Sequence, residues 1–134
     1  MENDGHFSGE IVGIGTDLTD VVRIRALLEK YSGAFLKKAF GDVEASYCMS
    51  LANPAESLAA RFAAKEAVAK ALGTGFSEGV TPRGIVVVKT SSGAPQVELD
   101  APSKKIMDSL GGKKIFLSLT HTKDYAQAFA IITR

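Results

Sequence analysis

The sequence predicts an α+β fold, with helices in its first half and antiparallel strands in its second. Three observations carry that prediction. Up to position 72, apolar residues recur at helical spacing between capping residues and glycine stops. After Gly73 the apolar residues gather into short runs rich in Val, Ile and Phe. Those runs flank turn-forming stretches, SSGAP and HTKD, which return each strand antiparallel to the last.

Taken in order, EIVGIGTD (10–17) opens as a β-branched strand that completes the sheet and ends in glycines, as a strand entering a functional loop does. Thr19 or Asp20 caps a helix over 21–32, with Val21, Ile24, Leu28 and Tyr31 on one face and Gly33 as its stop. AFLKKAF is a short helical piece running to Gly41, and Asp42 caps another helix across 43–51. Asn53-Pro54-Ala55-Glu56 combines a capping Asn, Pro at the first helical position and Glu three residues after the cap. It opens the longest helix, 54–72, which Gly73 ends. GIVVVK (84–89) and QVELD (96–100) form one hairpin, a short helix follows at 102–110, and KIFLSLT (114–120) with YAQAFAIIT (125–133) forms a second hairpin around His121-Thr122-Lys123-Asp124. The expected architecture is an antiparallel sheet packed against a long central helix and shorter helices.

With 134 residues the chain is long enough for one real core. No repeat or linker divides it, so 10–134 reads as a single domain behind a polar, flexible tail at 1–9. Sixteen basic and 15 acidic residues leave a net charge of +1, which argues against a protein that coats nucleic acid or anionic membrane. Cys48 is the lone cysteine, so no intrachain disulfide forms and a reducing, cytoplasmic setting is the simplest reading. No apolar run approaches a membrane span, and MENDGHFSGE lacks the pattern of a signal peptide.

RFAAKEAVAK (61–70) concentrates the chemistry. On a helical wheel Leu58, Phe62, Ala69 and Leu72 form a stripe with Lys65 inside it, while Arg61 and Glu66 lie on its two edges. Glu66 and Lys70 have two readings: an exposed i,i+4 pair worth about 0.2–0.5 kcal/mol, or part of a site. Lys65 must snorkel, find a carboxylate or meet an anion, and an ion pair within the chain or at an interface is the preferred reading. Ala59, Ala60, Ala63, Ala64, Ala67 and Ala71 offer a broad small-residue surface for close approach. Asp17, at the end of the first strand, is either a helix cap or a ligand-binding carboxylate. Paired with Glu66 it would suit Mg²⁺, which takes one or two carboxylates and completes its shell with water and phosphate oxygens. His121 is either an incidental loop residue or, with Ser118, Thr120 and Thr122, part of a phosphate-binding set.

Together GIGTDLTDVVRI, ARFAAKEAVAKALGTG, SSGAP and SLTHTKDYAQAFAII resemble the holo-[acyl-carrier-protein] synthase family, the small class of 4′-phosphopantetheinyl transferases, from about residue 11 to the C-terminus. The resemblance implies transfer of 4′-phosphopantetheine from coenzyme A to a serine of apo-acyl carrier protein, releasing adenosine 3′,5′-bisphosphate. By the same resemblance Asp17 and Glu66 are Mg²⁺ ligands, and Lys70 contacts the phosphates of coenzyme A. Arg61, Gly73, Gly93, Pro95, Ser118, Thr120, His121 and Thr122 fall at positions like those of its coenzyme A pocket. For that reaction Glu66 is also expected to take the serine proton, directly or through a metal-bound water. Ala94 stands where the family commonly has lysine, and Asp20 where it has Glu. Arg23 matches an arginine that meets the acidic carrier, with Arg25, Lys37 and Lys38 as helpers.

The family forms homotrimers with sites at the subunit interfaces, and such an interface would account for the alanine-rich helix surface and for charges amid apolar residues. Two other functions use parts of the same residue set. A module that only binds coenzyme A or carrier protein needs Arg61 and His121 but not the carboxylate pair. A Mg²⁺-dependent nucleotide pyrophosphohydrolase uses the carboxylates without a protein acceptor.

Overall fold

The computed structural model describes residues 9–134, so nearly all of the tail expected over 1–9 lies outside the described residues. In chain order the elements are β1 (Ile11–Asp20), α1 (Val21–Ala39), α2 (Asp42–Met49), α3 (Pro54–Ala71), β2 (Ile85–Lys89), β3 (Pro95–Leu99), α4 (Ala101–Ser109), β4 (Lys114–His121) and β5 (Tyr125–Thr133). The expected α+β class is found. The strands form two antiparallel ladders, β1-β5-β4 and β2-β3.

The local chemistry explains most boundaries. Asp20 is the cap of α1, its carboxylate accepting from the Val22 amide at 2.9 Å. The helix breaks at Ser32 (φ 43°, ψ −117°), one residue before the expected stop, and resumes to Ala39, so the expected helix and the AFLKKAF piece abut. Gly41, not Asp42, caps α2, because Glu44 folds back to accept the Gly41 amide at 2.9 Å. Pro54 opens α3 as expected, yet Asn53 makes no side-chain cap bond. Glu56 is drawn away from the cap towards His121, 3.4 Å from its Nδ1. Gly73, at φ 87°, supplies the left-handed residue that ends α3.

β1 departs most from expectation. It does not enter a loop at its glycines but continues through Asp17 to Asp20, paired with β5 from Thr133 down to Tyr125. Gly13 and Gly15 lie within the strand because α3 crosses it there: a β-carbon on either would stand 2.0 Å from the carbonyl oxygen of Ala71 or Ala67. Ala126, Ala128 and Ala130 of β5 are fully buried on the same face. The alanine surface of α3 is therefore covered by the chain's own sheet, and no partner subunit is needed to explain it. Small residues on both sides let helix and sheet backbones meet without a gap.

The C-terminal half of α3 shares a core with Val80, Ile85, Val87, Met107 and Ile132. Its N-terminal half packs with Val21, Ile24, Phe40, Cys48 and Ala126. The opposite face of the three-stranded sheet is apolar and uncovered, exposing Ile14, Leu18, Phe116, Tyr125 and Phe129. Among the described residues no helix is long and apolar enough to cross a membrane.

Candidate active site

Period-2 alternation along β1 turns Asp17 to the same face as Gly15, towards α3. There it meets the last turns of the helix. Lys70 Nζ donates to Asp17 Oδ1 at 3.2 Å and to the Thr16 carbonyl at 3.0 Å, while the Thr19 hydroxyl donates to Asp17 Oδ2 at 2.6 Å. The simple Glu66–Lys70 surface pair is therefore not what forms: Lys70 reaches across to β1. Glu66 is half-buried beside them. Burial first, and then the neighbouring Asp17 carboxylate, push Glu66 above the ordinary carboxylate range, against the pull of Lys70 and Arg23. Asp17, Glu66, Lys70 and Arg23 thus make one cluster, built by β1, α3 and the first turn of α1.

The donor set fits a hard divalent cation. Two half-buried carboxylates whose negative charges repel one another are oxygen-only ligands, and they leave the rest of an octahedron to water and substrate phosphates. Among the described residues no group of three or more His, Cys, Asp or Glu side chains that could hold a metal converges, so a cation beside Asp17 and Glu66 would have to draw its other ligands from water and substrate.

The other expected residues gather elsewhere. Arg61, His121 and Glu56 line a cavity of about 370 Å³ with Tyr47, Lys89 and Leu119. Arg61, Gly93 and Pro95 line an adjoining one of about 200 Å³. The Arg61 guanidinium donates to the Val87 carbonyl at 2.8 Å and lies over the Tyr47 ring, 5.0 Å from its centroid. Gly93 holds φ 89° in the β2–β3 turn, where its amide donates to the Thr90 carbonyl at 2.9 Å; Ala94 is exposed beside it. The two clusters sit on opposite edges of the sheet, Asp17 on β1 and His121 on β4, with β5 between them. Two strand spacings make that about 10 Å at least.

Ser118 and Thr120 alternate with His121 and stand on the outer sheet face, so one chain does not bring the three into one pocket. The Thr122 hydroxyl is engaged in the hairpin, accepting from the amides of Asp124 and Tyr125 at 3.2 and 3.1 Å. Gly73 is exposed one turn past Lys70. Arg23 and Arg25 are exposed at the start of α1.

Lys65 resolves into an ion pair within the chain. It is fully buried, donating to Glu44 Oε1 at 2.6 Å and to the carbonyls of Pro82 and Ile85 at 2.9 and 2.6 Å. Burial pulls its ammonium below the usual lysine range, and the Glu44 carboxylate opposes that pull. Glu44 and Tyr47 were not singled out from the sequence. The one available signal was the position of Glu44, three residues beyond the helix-opening Gly41.

A mixed helix–sheet scaffold that places two carboxylates and a lysine together is an arrangement that phosphate-transferring enzymes use. Residues 13–130 match the model of the 4′-phosphopantetheinyl transferase superfamily. The chain is 46% identical over 118 residues to the holo-[acyl-carrier-protein] synthase of Chlamydia caviae, covering 88% of this chain and 93% of that protein. Its fold is similar to the crystal structure of the Neisseria meningitidis holo-[acyl-carrier-protein] synthase, with a TM-score of 0.86 and 33% identity over 93% of this chain and 100% of that one. The Helicobacter pylori enzyme, solved in complex with coenzyme A, gives a TM-score of 0.77 at 28% identity over 89% of this chain and 98% of that one. The chain belongs to the holo-[acyl-carrier-protein] synthases of the 4′-phosphopantetheinyl transferase superfamily.

Proposed function

We propose that the Asp17–Glu66–Lys70 cluster is the reaction centre for moving 4′-phosphopantetheine from coenzyme A to a serine of apo-acyl carrier protein. The observation that carries the assignment is the convergence of these three residues, from β1 and α3, inside the span that matches the family. The serine oxygen attacks the phosphorus that bears the pantetheine arm. The P–O bond to the second phosphate breaks, and adenosine 3′,5′-bisphosphate leaves with the bonding electrons.

Asp17 and Glu66 would hold Mg²⁺, which when bound neutralises the charge on the pyrophosphate oxygens. Glu66 takes the serine proton, directly or through an intervening water. Lys70, half-exposed and already turned towards Asp17, stabilises the departing phosphate. Arg61, Gly73, Gly93, Pro95, Ser118, Thr120, His121 and Thr122 are assigned to coenzyme A. Arg23 and Arg25 are assigned to the acidic carrier.

We read the complete site as shared between subunits of a homotrimer. Two features support this: the two residue clusters occupy opposite edges of one sheet, and the face between them exposes five large apolar side chains. Ser118 and Thr120, on that outer face, then join a neighbour's cluster. We also read 10–134 as one catalytic domain working in the cytoplasm, where the lone Cys48, buried and with its thiol pushed up by burial, stays reduced.

The deciding experiment incubates the protein with coenzyme A, Mg²⁺ and apo-acyl carrier protein and takes the intact mass of the carrier. A gain of one phosphopantetheine is expected. Cleavage of coenzyme A without that gain would mean a hydrolase, and neither change would mean a binding module.

A further inference from the structure

Peptide groups of alternate residues in an antiparallel strand face the same edge. On the edge of β2 turned away from β3, charged side chains meet them in place of a neighbouring strand. Lys65 donates to the Ile85 carbonyl at 2.6 Å, Glu44 Oε2 accepts the Val87 amide at 2.7 Å, and Arg61 donates to the Val87 carbonyl at 2.8 Å. Glu44 and Lys65 are themselves joined at 2.6 Å with no exposure to solvent. The third Lys65 proton goes to the Pro82 carbonyl, and the second lone pair used on Glu44 Oε1 takes the Gly41 amide. Every donor of the ammonium is therefore spent, and although Glu44 borders a cavity of about 260 Å³, both of its carboxylate oxygens are engaged within the protein.

The same two helices that carry the pair carry the residues lining the cavities. Tyr47 lies one turn beyond Glu44 on α2, and Arg61 one turn before Lys65 on α3. Arg61 lies over the Tyr47 ring at 5.0 Å. Cavities of about 370, 200 and 260 Å³ all have Arg61 in their walls.

We infer that Glu44 and Lys65 are positioning residues for substrate binding: they clamp α2, α3 and β2 together and so fix the Val87 carbonyl and Tyr47 ring that aim Arg61 into the cavities. This rests on the assignment of Arg61 to coenzyme A. A fully buried, fully bonded pair between three elements allows little play. Its geometry passes directly to Arg61 through one peptide unit, since Glu44 holds the amide and Arg61 the carbonyl of Val87 itself.

The test is a kinetic cycle in coenzyme A. Glu44→Asp keeps the charge but withdraws the carboxylate by one methylene, and E44Q/K65M removes both charges together. Each is measured alone and combined with Arg61→Ala, with folding checked by circular dichroism. Should the double variant fail to fold, Glu44→Asp decides. In a folded variant the KM for coenzyme A is expected to rise about 10-fold, the scale of losing an orienting partner, with kcat little changed. On the Arg61→Ala background the same substitutions should add nothing further, because both act through one guanidinium. If Arg61→Ala raises KM while the pair variants only lower the melting temperature, the positioning role is overturned alone. If Arg61→Ala itself leaves KM unchanged, the assignment of Arg61 falls and the inference with it.

Discussion

Gly15 of β1 lies so close to Ala67 of α3 that a β-carbon on it would stand 2.0 Å from the Ala67 carbonyl oxygen. The obstacle is helix backbone, which cannot rotate aside as a side chain can. The absence of a side chain at Gly15 is thus what lets α3 descend onto the sheet. Asp17 follows two residues later on the same face, within reach of Lys70.

Gly15→Ala is accordingly expected to cost stability at the upper end of the overpacking range, about 3 kcal/mol or more, and to lower transfer by separating Asp17 from Glu66. Gly33→Ala is the control, since nothing lies within 4 Å of the added carbon. Urea unfolding of the two variants checks this, and equal midpoints would remove the close-approach argument.

Much of this was legible beforehand and some was not, for identifiable reasons. The helix starts at Asp20 and Pro54 and the hairpins flanking SSGAP and HTKD follow from local capping and turn chemistry, which acts over three or four residues. The glycines of β1 suggest a loop entry, although an isolated glycine in a strand pattern also marks close backbone approach. Nothing local distinguishes the two. Lys65 announced that it needed a partner, but Glu44 sits 21 residues away on another helix, beyond what spacing reveals. Carboxylate chemistry suggests pairing Asp17 with Glu66, but spacing does not show that they meet, because their meeting depends on α3 crossing β1. The alternation that separates Ser118 and Thr120 from His121 was readable once β4 was known to run through His121.

Glu66→Gln should abolish transfer while raising stability at neutral pH. The folded-state pKa of Glu66 is raised by burial and by Asp17, so folding favours the protonated form. Its contribution is present below the unfolded carboxylate pKa and is lost as pH rises through the folded one. The neutral glutamine avoids that loss. Its melting temperature should exceed that of the wild type at pH 8, and the difference should disappear towards pH 4. A gain that persisted in acid would assign the effect to packing and not to charge.

Asp17→Ala should leave the fold in place, because Lys70 is half-exposed and can re-solvate. If the Asp17 carboxylate supports several kcal/mol of charge stabilisation through Mg²⁺, the transfer rate falls about 100-fold or more. The residual rate should no longer respond to added Mg²⁺. The measurement is the rate of carrier mass gain across a Mg²⁺ titration, and a wild-type Mg²⁺ response in this variant would refute the ligand assignment.

The outer sheet face offers a separate test of assembly. Phe129 is 44% exposed and Leu18 63%, at the centre and edge of the apolar patch, on the sheet face opposite the one Asp17 shares with Gly15. Phe129→Asp would place a charge where a partner's apolar surface is proposed to lie. It should shift sedimentation to the monomer and lower transfer without unfolding the chain.

Shared sites also predict rescue between two impaired proteins, assayed at coenzyme A well below the raised KM of Arg61→Ala. Asp17→Ala damages the β1 edge and Arg61→Ala the cavity edge. If each site takes one edge from each of two neighbouring subunits, mixed assemblies regain some intact sites. Random reassembly of equal amounts in a closed ring pairs an intact β1 edge with an intact cavity edge in about one quarter of interfaces. Mixing the two variants under conditions that exchange subunits should therefore restore about a quarter of wild-type transfer. Adding Phe129→Asp to both should abolish the rescue. Sites contained within one chain would give no recovery at any ratio, because every chain in the mixture carries a damaged edge.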